Sequence, residues 1–264
     1  MSELSYEELV EKVNNKLKTN SEFVNYKFGF KEINAWTYWQ GFKVRSPRIL
    51  LLGQDWGALD YKYAQKYFDA IEEMMAKDID DNEIHYFDKV SESEFENFAT
   101  DRNLVELFKI LGYQDIKKYR YKDLFFTNLI PGYRSSGKST GGFKKEWLDK
   151  AVWEEFDNLI KILQPTIVIC LGEIVYKEVL KHYKEYGREY QRTWSKWSLY
   201  LDDFYEENKE IEPVNIGKNY ETNCFVFPVA HPGSYGIKAR DLESQKKDWE
   251  RIGEWLEKNK VKNK

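Results

Sequence analysis

A chain of 264 residues, 42% of them hydrophobic, can bury the core of one large domain. Its net charge of −4 and pI of about 5.7 exclude a protein that coats nucleic acid through overall charge, and leave only local basic patches, around Arg134, Lys138, Lys144 and Lys145 and around Lys238, Arg240, Lys246 and Lys247. Two cysteines, Cys170 and Cys224, and three histidines cannot fill an iron–sulfur or all-cysteine zinc site, so neither a metal nor a cofactor is expected.

The opening MSELSYEELVEKVNNKLK has the spacing of an amphipathic helix and lacks the apolar centre of a signal peptide. No run approaches the length that spans a bilayer, so a cytoplasmic protein with no membrane partner is expected. Four short apolar runs then read as buried strands: RILLL (48–52), LFFTNLI (124–130), TIVICL (166–171) and CFVFPVA (224–230). Both cysteines fall inside such runs, where a thiol behaves as a small hydrophobe. Helical periodicity fills EWLDKAVWEEFDNLIKIL before the third run, GEIVYKEVLKHY after it and RDLESQKKDWERIGEWLEKN near the end of the chain.

Strands alternating with helices predict an α/β fold: one domain over 1–264, a four-stranded, mainly parallel sheet with helices on both faces. The charged and aromatic stretch 183–222, with WSKWSLYLDDFYEENKEIEP at its centre, reads as an insertion in that domain. No Pro/Gly/Ser-rich linker and no repeat divides the chain.

In open α/β sheets, ligands bind outside the carboxyl ends of the strands. Here the first strand runs into GQDWG, the second carries Asn128 and then PGYRSSGKSTGG, the third ends in Gly172-Glu173, and the fourth ends in AHPGSYG. The stretch GYRSSGKS (132–139) has the letters of a P-loop, but a working P-loop opens directly into a helix. Thr140, Gly141 and Gly142 make a poor first turn, and no carboxylate for Mg²⁺ ends a later strand.

GQDWG, FFTN and AHPGSYG, in that order at three strand ends, resemble the motifs of the uracil-DNA glycosylase superfamily. The resemblance covers about Arg48 to Trp249 and implies a three-layer α/β/α sandwich that excises a base from DNA. It implies that Asp55 positions or activates water and offsets positive charge on the sugar. It assigns Asn128, with Gln54, Trp56 and Gly57, to the base, and His231 to negative charge on the departing base. Tyr235 falls where that superfamily places its intercalating wedge. Classical members carry Pro-Tyr where this chain has Trp56-Gly57, and that Tyr excludes the 5-methyl of thymine, so a wider pocket is implied unless Trp56 or Tyr61 refills it. Phe87, Phe95 and Phe98 are all candidates for a base-stacking aromatic.

The residue types also make chemical sense on their own. Hydrolysis of an N-glycosidic bond passes through an oxocarbenium-like sugar and leaves an anionic base, so it needs a carboxylate and a donor. Asp55 and His231 supply them, while the amide of Asn128 suits the mixed edge of a pyrimidine. Arg134, Ser135, Ser136, Lys138, Ser139, Lys238 and Arg240 are expected to contact DNA phosphates, and Tyr235 to fill the gap left by an extruded base. The expected partner is DNA containing uracil or a related base, met by a monomer. Each residue also has a purely structural reading: Asp55 can organise a turn, Asn128 can tie a strand to a loop, and His231-Pro232 can be an ordinary turn. Glu173 is a weaker candidate, because an acid there serves a helix N-terminus. A binding module that keeps the fold without cleaving is the main alternative, and a P-loop NTPase the third.

Overall fold

The computed structural model describes residues 4–19, 23–24, 40–41, 44–55, 57, 99–134, 144–183, 196–217 and 222–260. The main sheet contains β2 (Ile49–Gly53), β3 (Leu124–Asn128), β5 (Ile167–Leu171), β6 (Val214–Asn215) and β7 (Phe225–Val229), while β1 (Phe23–Val24) and β4 (Tyr133–Arg134) form a separate antiparallel pair. The order across the main sheet is β3-β2-β5-β7-β6. Its first four strands are mutually parallel, and their near-continuous apolar runs reflect burial on both faces.

The sheet therefore has five strands where four were expected. The fifth, β6, pairs antiparallel with β7 and comes from within 183–222. Part of that insertion thus belongs to the core architecture: Leu201, Tyr205, Ile211 and Ile216 are buried, and the Tyr205 hydroxyl donates to the Pro228 carbonyl at 2.6 Å.

Helices cover both faces. On one lie α1 (Tyr6–Thr19), α3 (Lys150–Leu163) and α4 (Glu173–His182), packing Leu9, Phe156, Leu159 and Val179 against Leu50, Leu52, Val168 and Val226. On the other lie α2 (Ala99–Ile110) and α7 (Leu242–Lys258), with Phe108 and Trp249 against Phe126 and Phe227. Two shorter helices, α5 (Trp197–Phe204) and α6 (Ser234–Ala239), complete the described chain. Asp149 caps α3 by accepting from the Val152 N–H at 2.8 Å, which places the helix start four residues later than the periodic stretch EWLDKAV begins.

Cys170 and Cys224 are fully buried free thiols, and burial pushes the Cys224 thiol up to about 12 and the Cys170 thiol well above its ordinary value. Among the described residues no group of three or more His, Cys, Asp or Glu could hold a metal ion, and no helix is long and apolar enough to cross a membrane.

Candidate functional site

Four parallel strands deliver their ends to one edge of the sheet. In spatial order these are Asn128 at the end of β3, Gly53 with Gln54 and Asp55 after β2, Gly172 after β5, and His231 after β7. Strands lie about 4.8 Å apart, so the ends of β3 and β7 are separated by about 14 Å of backbone. Loops and side chains narrow that span, and glycines permit their approach. Gly53 pairs with Asn128 in register, and a Cβ at Gly53 would lie 2.1 Å from Asn128 Oδ1. Gly172 adopts φ +93°, and a Cβ there would stand 3.7 Å from the His231 Cβ.

Asn128 is buried, on the same strand face as Leu124 and Phe126, and its side chain makes no hydrogen bond to another described residue. Most buried amides are satisfied within the protein. Here the Asn128 amide offers both a donor and an acceptor at the end of the strand.

His231 is held by its own loop. The Gly233 N–H donates to His231 Nδ1 at 3.0 Å, which leaves the proton of the neutral ring on Nε2. The residue keeps more than a third of its surface open, yet the protein packed around its ring pushes the pKa below the usual imidazole range. At neutral pH it is therefore an uncharged Nε2–H donor. A Cβ at Gly233 would lie 2.9 Å from His231 Nδ1 and 2.8 Å from Thr100 Oγ1, and a Cβ at Gly236 would collide with the His231 carbonyl oxygen at 1.8 Å. From α2, Asn103 donates to the Pro232 carbonyl at 2.7 Å and fixes the loop from below. Tyr235 follows on α6 with 71% of its surface exposed, and Lys238 Nζ lies 5.6 Å from its ring centroid.

Asp55 differs most from expectation. Its side chain is 1% exposed and forms an ion pair with Arg134, itself 9% exposed. Oδ1 accepts from the Gly57 N–H at 2.7 Å and Arg134 Nε at 3.0 Å, and Oδ2 accepts from Gln54 Nε2 at 2.7 Å and Arg134 Nη2 at 3.0 Å. A carboxylate has about four lone-pair directions, and all are engaged. In this structure Asp55 locks the loop. Arg134, expected on DNA phosphate, directs its guanidinium to Asp55 and over the Trp147 ring at 5.5 Å, while its N–H donates to the Gly57 carbonyl at 2.8 Å. Gln54, expected at the base, likewise turns its amide to Asp55. Gly57 is buried at φ +78°, so the loop backbone itself requires glycine there.

Arg240 is a second correction. It is 8% exposed, its Nε and Nη2 donating to both oxygens of buried Asp248 at 2.7 Å each and its Nη1 to Asp202 at 2.6 Å and the Ser198 carbonyl at 3.3 Å. It ties α5, the end of α6 and α7 together. Glu173 pairs with Lys177 one turn along α4. Lys238 is exposed. Trp56, Tyr61, Phe87, Phe95, Phe98, Ser135, Ser136, Lys138 and Ser139 lie outside the described residues. Of the P-loop-like stretch, Tyr133 and Arg134 form the strand β4, and the next α-helix among the described residues begins at Lys150.

Sequence reading missed Thr100, Asn103 and the Arg134–Asp55 bond. A polar residue at 103 on the same helical stripe as Leu107 was the available signal for Asn103. No family model matches the chain, and no curated protein matches its sequence.

Proposed function

We propose that this chain is a DNA base-excision glycosylase of the uracil-DNA glycosylase superfamily, hydrolysing the N-glycosidic bond of uracil or a related damaged or mismatched base. The observation that carries this reading is that one sheet edge holds two groups: the Asn128 amide, which makes no hydrogen bond to another described residue, and the neutral Nε2–H of His231. An amide suits the edge of a flipped pyrimidine, and a neutral imidazole donor suits negative charge developing on its carbonyl as the bond breaks. Tyr235, exposed on the short helix after the His231 loop, is suited to fill the gap left in the stack, and Lys238 beside it to meet a phosphate. In this reading the protein acts in the cytoplasm as a monomer and uses no metal or cofactor.

The test is incubation of the protein with labelled oligonucleotides carrying uracil, hypoxanthine, xanthine or a G·T mismatch, followed by alkali. Strand breakage at a modified base is the expected result. No breakage on any of the four would favour the second reading, a glycosylase-fold module that binds a base without cleaving it. One observation supports that alternative: Asp55, the carboxylate of the first motif, is saturated by Arg134, Gln54 and Gly57.

A further inference from the structure

The ring of His231 is governed by a single peptide group, the one that joins Pro232 to Gly233. Its carbonyl accepts from Asn103 Nδ2 at 2.7 Å, and its N–H donates to His231 Nδ1 at 3.0 Å. In a trans peptide the carbonyl and the N–H point in opposite directions, so Asn103 and the imidazole hold the group from its two sides. Which ring nitrogen of a histidine carries the proton is set by the hydrogen bond that the other makes. With the N–H turned to Nδ1, the proton of the neutral ring sits on Nε2. With the peptide turned over, its carbonyl would meet Nδ1, and the ring would have to carry its proton there or take up a second one. The backbone alone does not forbid that reversal. It would be absorbed by ψ of Pro232, which the proline ring leaves free, and by φ of Gly233, which would pass from −74° to a positive value that glycine enters readily. The neighbouring contacts hold other groups: Gly236 lies against the His231 carbonyl, and the Gly233 carbonyl accepts from the Ile237 N–H at 3.0 Å.

We propose that Asn103 is a positioning residue: through the Pro232–Gly233 peptide it holds His231 as an Nε2–H donor at the strand ends. That this donor serves cleavage rests on the glycosylase reading. Asn103 is buried in α2, a helix anchored further along by Phe108, whose ring centroid lies 5.1 Å from that of Phe126 and 5.0 Å from that of Trp249. An amide has a low helix propensity and is costly to bury alone, and the carbonyl of Pro232 offsets that cost. Thr100, one turn earlier on α2, closes the same side of the loop, its Oγ1 2.8 Å from where a Cβ at Gly233 would lie. A hydrogen bond to the carbonyl also polarises the peptide and strengthens its N–H as a donor to Nδ1. Burial pushes the His231 pKa below the usual imidazole range, so the ring whose tautomer Asn103 selects is the neutral one.

The experiment compares the full chain with its Asn103→Asp and Asn103→Leu variants by ¹⁵N NMR of the histidine rings near neutral pH, with His231→Gln to identify the His231 signals among those of three histidines. Single-turnover cleavage of a uracil-containing oligonucleotide and DNA affinity are measured on the same proteins. Aspartate keeps the shape and sets an acceptor against the carbonyl, whereas leucine removes the donor without adding a charge, so a fold that rejects one is tested by the other. In wild type, His231 Nδ1 should resonate as the unprotonated nitrogen and Nε2 as the protonated one. Both variants should move population to a ring protonated on Nδ1 and slow cleavage by at least about tenfold, with affinity kept within about twofold. An unchanged ring signature in folded variants would overturn the proposal whether or not the chain cleaves DNA. So would a shifted signature with cleavage still at the wild-type rate. If wild type cleaves nothing while the variants shift the ring, the glycosylase reading falls and the positioning of His231 by Asn103 stands.

Discussion

The partial burial of Asp101 has a thermodynamic consequence that can be measured without any substrate. Its carboxyl is raised from 3.8 to about 7 in the folded chain, chiefly by desolvation. An acid whose folded pKa lies above its unfolded value carries no penalty while protonated in both states, below about pH 4. The penalty grows as pH rises through the window from about 4 to about 7 and is constant above it. Raising the carboxyl from 3.8 to about 7 makes the full penalty about 4 kcal/mol, at about 1.36 kcal/mol for each tenfold change in proton affinity. Asp101→Asn is neutral at every pH and escapes it. The variant should match wild type near pH 4 and exceed it by about 4 kcal/mol at pH 8, equivalent to at least about 8 °C in Tm for a chain of this size. Urea unfolding of both proteins over that range measures the difference, and groups that titrate alike in both cancel. A difference that does not change with pH would refute the reasoning. So would a variant less stable than wild type at pH 8, which would mean that the ionised carboxylate has partners in the fold.

Other contacts have consequences of their own. Asp55→Asn or Arg134→Gln should each cost about 3–5 kcal/mol in urea unfolding, because each leaves a buried charge unpaired, and the double variant should recover part of the sum; strictly additive losses would mean the two side chains are not coupled. Arg240→Ala should destabilise by a similar amount through Asp248 while leaving the salt dependence of DNA binding unchanged, and a shallower slope with intact stability would restore it as a phosphate contact. Gly53→Ala places a methyl where the Asn128 oxygen lies, so oligonucleotide cleavage should fall by at least about tenfold while unfolding shifts by only about 1–3 kcal/mol; unchanged cleavage would remove Asn128 from the site.

The parallel strands were legible because burial on both faces leaves an unbroken apolar run, as in Ile167–Leu171, and the stretches between them carried helical spacing. β6 was not, because two residues, Val214 and Asn215, show no periodicity, and their pairing is decided by β7 alongside. The same is true of β1 and β4, each two residues long. Asn215 shows how such a strand holds: its Oδ1 accepts from the N–H groups of Gly217 and Cys224 at 2.9 and 3.2 Å, so a local side chain closes what a longer hydrogen-bonded ladder would otherwise secure.

At the site, position was legible and partnership was not. Asn128, Gly53 and His231 sit at strand ends because a parallel sheet brings all such ends to one edge, a consequence of topology that a sequence can express. Which cation meets which carboxylate is decided between loops far apart in the chain. Arg134 and Arg240 looked alike as exposed phosphate ligands, yet each sits opposite an acid, Asp55 or Asp248, that is itself out of solvent. A guanidinium facing a buried carboxylate keeps it, since parting them strands both charges. That preference commits both oxygens of Asp55 to the loop.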